Sequence, residues 1–161
     1  MTEVDASPVE VPVERAAAFE ELYEVQYAPM VRVAHLLVDT VEQAEEVVQD
    51  AFAAVYLRWS RLDNPGAYLR VAVLNGARKQ LRRRRVARHA AVVPPEPDEL
   101  GFNHVVDAVR RLPRRQRAVV VLRYELQLSE ADIATTLGMP AGTVKSTLHR
   151  ALARLREEVE R

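Results

Sequence analysis

The sequence predicts an all-α protein: two small helical domains joined by a proline-rich linker, the second containing a helix-turn-helix. Three observations predict this. Apolar residues recur at three- and four-residue spacing through most of the 161 residues, and no stretch of any length shows the two-residue alternation of a strand. Between about Ala90 and Gly101 the run AAVVPPEPDELG places three prolines within four residues, the composition of an extended tether rather than of a core. After Leu128 come, in order, a serine cap, a short apolar-periodic segment, a Gly-Met-Pro turn and a longer segment with a basic outward face. That order is the arrangement with which helix-turn-helix proteins read DNA.

Residues 1–15 are expected to be disordered, since residues 1–14 hold two prolines and four acids with little periodicity. The first domain spans 16–89. Its first helix begins near Ala16 and its helical pattern runs through Phe19, Leu22, Tyr23, Tyr27, Val31, Ala34, Leu37 and Val38, with Pro29 expected to kink or split it. A second helix, from about Thr40 to Trp59, turns Val47, Val48, Ala51, Phe52, Val55 and Trp59 inward. It turns Glu42, Glu45, Glu46, Gln49 and Asp50 outward. The loop Ser60–Gly66 ends on Asn64 as a cap and Pro65 at the first position of a third helix, which runs to about Arg85. Leu69, Ala72, Val73, Ala77 and Leu81 face its core, while Asn75, Arg78, Lys79 and Arg82 form one exposed polar stripe that runs into Arg83, Arg84, Arg85 and Arg88.

The linker occupies 90–103 and the second domain 104–161. Short helices near Val105–Arg111 and from Arg115 to about Leu126 precede the helix-turn-helix. Ser129 caps its first helix, Asp132 completes a capping box, and Ile133, Ala134 and Leu137 supply the buried side. Gly138 permits the left-handed turn and Pro140 cannot continue the helix. In the last helix Val144, Leu148, Ala151, Leu152 and Leu155 form the apolar stripe. Lys145, Ser146, His149 and Arg150 lie opposite, within reach of phosphates and base edges.

Composition narrows the function classes. Hydrophobic residues make up 48% of the chain, enough for helical cores. Cysteine is absent, which excludes disulfides and thiolate metal sites, and His35, His89 and His104 have no metal-ligand spacing. No cofactor or metal is expected. No apolar run approaches the roughly 20 residues of a membrane span, and the acidic N-terminus lacks a signal peptide's basic start, so a cytoplasmic protein is expected. The net charge of zero conceals a polarised chain: residues 1–50 hold 12 acids against 2 bases, residues 51–90 hold 10 bases against one acid, and residues 91–161 are nearly balanced. Such a chain can present one face to nucleic acid and another to a basic partner. No phosphate-binding glycine loop, nucleophile elbow or paired-histidine motif points to an enzyme.

Three segments together resemble a bacterial RNA polymerase sigma factor of the extracytoplasmic-function (ECF) group of the sigma-70 family. QAEEVVQDAF (43–52) is similar to the acidic helix with which such factors grip the β′ clamp helices. NPGAYLRVAVLNGARKQLRRRR (64–85) resembles the helix that reads the promoter −10 element, and Leu112–Arg156 resembles the domain that reads the −35 element. The resemblance implies binding to core RNA polymerase (β′ clamp helices and β subunit) through Glu45, Glu46, Gln49 and Asp50. It implies −10 contacts by Arg61, Asp63, Asn64, Asn75, Arg78, Lys79 and Arg82, with a flipped base held by the 60–66 loop. It further implies −35 contacts by Thr143, Lys145, Ser146, His149 and Arg150, and an anti-sigma factor as a possible partner. The chain departs from the family pattern at Lys79, where many relatives carry Asp, at Gly76 inside the reading helix, and at Tyr68 in place of a commoner Trp. A free-standing helix-turn-helix regulator that never joins polymerase is the alternative, and a helical adaptor the third class. A dimeric regulator, however, needs a dimer interface and rigid half-site spacing, which the long tether does not favour.

Overall fold

The computed structural model describes residues 13–87 and 103–160, with side chains placed from 13 to 83 and from 104 to 160. The expected disorder of 1–12 and nearly all of the linker lie outside the described residues. Seven α-helices follow in order among the described residues: α1 (Val13–Leu37), α2 (Val41–Arg58), α3 (Pro65–Ala87), α4 (Asn103–Arg111), α5 (Arg114–Tyr124), α6 (Glu130–Leu137) and α7 (Ala141–Val159). A single 3₁₀ turn, Trp59–Arg61, joins α2 to the loop before α3. There is no strand among the described residues, and none of their helices is long and apolar enough to cross a membrane.

The boundaries follow from local chemistry. Thr40 is extended (φ −128°) and its hydroxyl accepts the Gln43 N–H at 3.2 Å, satisfying one of the donors orphaned at the start of α2. Asn64 does the same for α3, its Oδ1 accepting the Ala67 N–H at 3.0 Å, with Pro65 at the first helical position where its missing N–H costs nothing. Gly138 closes α6 in the left-handed region (φ 63°), and its N–H and that of Met139 return to the last turn of the helix. Ser129 caps α6 by accepting the Asp132 N–H at 3.1 Å. The capping box takes a different form from the expected one: the Asp132 carboxylate accepts from the Ser129 hydroxyl at 2.8 Å rather than from its backbone N–H. An aspartate is one methylene shorter than the glutamate that usually makes that return bond.

Two further expectations change. Residues 13–15 are helical rather than disordered, and Pro29 does not split the first helix, which runs unbroken through 25 residues. The proline removes the bond to the Val25 carbonyl, but Val25 is 60% exposed, so water can take that place. Tyr27 and Val31 meanwhile pack against the core on either side of the proline, and Met30 is fully buried.

Packing then joins the halves. Val47, Val48, Ala51, Phe52 and Val55 of α2 fill the space between α1 and α3. Phe19, Tyr23, Tyr27, Tyr56 and Trp59 surround Phe52 and one another with ring centroids 4.8–6.2 Å apart. In the second half α7 lies across α4, α5 and α6, with Val144, Thr147 and Ala151 buried on its inner side. The two bundles are not held apart: α1 packs on α4 and α5, α3 packs on α6, and the buried apolar side chains form one continuous cluster. Arg110 of α4 reaches the end of α1, with its guanidinium 2.9 Å from His35 Nε2 and donating to the His35 carbonyl at 3.2 Å. Arg32 and Glu125 add an exposed ion pair at 3.7 Å.

Candidate nucleic-acid and polymerase interfaces

Burying one side of α2 leaves Glu42, Glu45, Glu46, Gln49 and Asp50 exposed together, as the periodicity predicts. Glu46 is tied to α3, accepting from Gln80 Nε2 at 2.9 Å. A cavity of about 210 Å³ between α2 and α3 is rimmed by Glu46 and Asp50 on one side and by Lys79, Gln80 and Arg83 on the other. The acidic and basic faces therefore meet along one seam. Gly76 lies on it for a steric reason: a Cβ there would stand 2.9 Å from Val47 Cγ1, inside contact distance. The glycine lets the two helices approach, which explains its place in the middle of α3 against its poor helix propensity.

In the 60–66 loop Arg61, Asp63 and Asn64 are exposed. Capping engages the Asn64 side-chain oxygen, so the amide N–H groups are what Asn64 can offer a base. Trp59 meets the Phe19 ring edge-on at 5.6 Å and is half-buried against the core, consistent with packing rather than base stacking as its first role. Tyr68 is half-buried as well, with the Arg58 guanidinium 5.9 Å from its ring centroid.

The polar stripe of α3 does not stay one surface. Leu69, Val73, Leu74 and Ala77 are buried, and Asn75, Arg78, Lys79 and Arg82 are all exposed. Lys79, however, lines the cavity against α2, whereas Arg78 and Arg82 line a second cavity of about 380 Å³ against α5 and the α6 turn. The stripe is thus divided by what packs on either side of it, a feature that helical spacing does not contain.

In α7 Lys145, Ser146, His149 and Arg150 are exposed on one face and Thr143 is half-buried at its start. Pro140 precedes the helix and its first turn carries no acidic residue, so the positive end of the helix dipole is uncompensated near the reading face. Ser146 Oγ donates to the Thr143 carbonyl at 3.1 Å, and Arg150 Nε to the Ser146 carbonyl at 3.3 Å. The long Arg150 bond is readily exchanged for a stronger acceptor. Thr147 is buried between Val144 and Ala151; its three- and four-residue spacing from them was the available signal. Sequence reading also passes over Arg110 and Arg117, whose side chains act across long separations. Arg117 donates to the Arg110 and Leu112 carbonyls. Its burial, with Arg110 and Arg114 nearby, holds the guanidinium pKa below its usual value, and Asp39 acts in the opposite sense.

An acidic helical face beside a basic one, with a capped loop between them and a helix-turn-helix in the second bundle, is the layout of a transcription factor that meets both protein and DNA. The chain belongs to the sigma-70 family of RNA polymerase sigma factors, in its ECF group: residues 22–86 match sigma-70 region 2 and residues 103–155 match sigma-70 region 4. It is similar to the RNA polymerase sigma-E factor of Streptomyces coelicolor, 38% identical over 151 residues that cover 88% of this chain and 85% of the relative. It is 40% identical over 156 residues to the sigma-E factor of Streptomyces antibioticus, covering 88% and 84%. To the ECF sigma factor SigL of Mycobacterium tuberculosis it is 33% identical over 156 residues, covering 88% of each. Its fold is that of the sigma factor RpoE of Bartonella quintana, solved with the anti-sigma factor NepR. The TM-score is 0.76 and the identity 24%, over 89% of this chain and 97% of that one. A sigma factor directs transcription initiation by RNA polymerase, and these relatives do not favour the free-standing regulator.

Proposed function

We propose that this sigma factor divides its work between its two bundles, inside the cytoplasm. Residues 16–89 bind core RNA polymerase through Glu45, Glu46, Gln49 and Asp50, and engage the −10 element through Arg61, Asp63, Asn64, Asn75, Arg78, Lys79 and Arg82. Residues 104–161 read the −35 element with Thr143, Lys145, Ser146, His149 and Arg150, and 90–103 span the distance between them. The observation that carries this reading is the segregation of charge: an exposed acidic face on α2, suited to basic protein surface, and exposed basic faces on α3 and α7, suited to DNA. Unstacked bases captured by the first bundle supply the drive for strand opening, so the protein needs no hydrolytic centre of its own. An anti-sigma factor, like the one bound to the related RpoE, is a fitting regulator. Run-off transcription with purified core polymerase and genomic template tests the proposal. Discrete transcripts that require the protein are expected; duplex DNA binding without stable association to core would refute it.

A further inference from the structure

The cavity of about 380 Å³ between the bundles has an unusual wall. Five of its lining residues are arginines, Arg78 and Arg82 from α3 and Arg114, Arg115 and Arg117 from α5, and none is acidic. Its floor is apolar, made by Leu37, Leu74, Leu137 and Met139 among others. Closing the two bundles therefore collects like charges around one space. Burial is the main cause that lowers the Arg117 pKa, Asp39 acts in the opposite sense, and among the other arginines of the wall Arg114 adds to the lowering. Asp39 is the one acid whose influence on Arg117 is resolved, and it does not line the cavity.

An anion seated there would relieve the repulsion and bridge α3 to α5. Guanidinium groups match phosphate oxygens in pairs, so a ligand with several linked phosphates would use more of the wall than a single-charge anion could. The apolar floor would accept a ring carried beside the phosphates, and the volume lies in the range of small-molecule sites. We propose that the cavity is a binding site for a nucleoside polyphosphate, and that its occupancy holds the two bundles in the closed arrangement. The ligand would take up Arg78 and Arg82, so the closed, occupied form would be unable to present them to a −10 element. That last consequence alone rests on the −10 assignment; the site itself does not.

The test uses the full chain and magnesium-free ATP as probe, with inorganic tripolyphosphate and sodium sulfate at matched ionic strength as comparisons. Calorimetry should show ATP binding more tightly than tripolyphosphate and sulfate failing to saturate. In R114A/R115A the ATP affinity should fall by roughly tenfold or more; both side chains are exposed and neither is assigned to core or DNA contacts, so the variant should fold. The chain has no cysteine, so nitroxides placed at Ala53→Cys and Ala153→Cys, two exposed helical sites, report the separation of the bundles. ATP should narrow the distance distribution, and should not do so in R114A/R115A. Absence of saturable ATP binding, an affinity unchanged in R114A/R115A, tripolyphosphate binding as tightly as ATP, or binding without narrowing would each overturn the proposal. Transcription is avoided as a readout because nucleotides are its substrates, and the result stands apart from the run-off assay.

Discussion

At the scale of single residues, several positions carry more than their side-chain class implies. Gly76 is the clearest. Helix propensity alone predicts that Gly76→Ala stabilises α3 by about 1 kcal/mol. The new methyl would instead meet Val47, a β-branched side chain buried at 4% exposure and stiff within its own helix. Overpacking of this kind costs about 1–3 kcal/mol, so a net loss of roughly 1 kcal/mol is expected in urea unfolding. In a Val47→Ala background the loss should vanish, because the clash has been removed; a stabilising Gly76→Ala in the native background would contradict the close-approach argument. Asn64 also has two employments, as the cap of α3 and as an assigned base contact. The first is visible as a 3.0 Å bond and leaves the amide donors for the second.

Helix ends follow from the sequence most directly, because the signals that start and stop them act within four residues. Thr40, Asn64, Ser129 and Gly138 each stand at the terminus their chemistry predicts. Of the two outcomes expected at Pro29, the split does not occur. A proline removes one bond, and tertiary packing around Met30 together with a solvated partner carbonyl is enough to keep the helix whole. The outward face of α2 yields the element-scale prediction. Asp50→Arg puts a cation into the acidic surface assigned to core polymerase, where like-charge juxtaposition is costly. Association with core should weaken by roughly tenfold or more, while −35 duplex binding by the second bundle stays unchanged. Both are measurable by fluorescence anisotropy, and equal loss of the two would contradict the division of labour. Asp50 also rims the α2–α3 cavity opposite Lys79, so unaltered thermal unfolding is the control that separates interface from stability.

For the whole molecule, the contacts between bundles matter most. Arg110 bonds to the imidazole and the carbonyl of His35 across 75 residues of sequence. Hydrogen bonds from charged donors contribute about 1.5–3 kcal/mol, so Arg110→Ala should loosen the closed arrangement by an amount of that order. Faster amide hydrogen exchange at the α1–α4 and α1–α5 contacts is expected, with unchanged helix content by circular dichroism; unchanged protection there would show that apolar burial alone holds the bundles together.

The all-α class, the caps, the buried faces of α2 and α7 and the outward sets Glu45, Glu46, Gln49, Asp50 and Lys145, Ser146, His149, Arg150 are legible in the amino-acid order. All of these follow from periodicity and from groups a few residues apart, where the backbone leaves little choice of partner. Packing in three dimensions is what closes the bundles on each other, makes Gly76 yield space to Val47, and parts Arg78 and Arg82 from Lys79 to face α5. Those outcomes depend on side chains tens of residues apart meeting in three dimensions, where shape and charge across the whole packed surface, rather than any local pattern, select the partner.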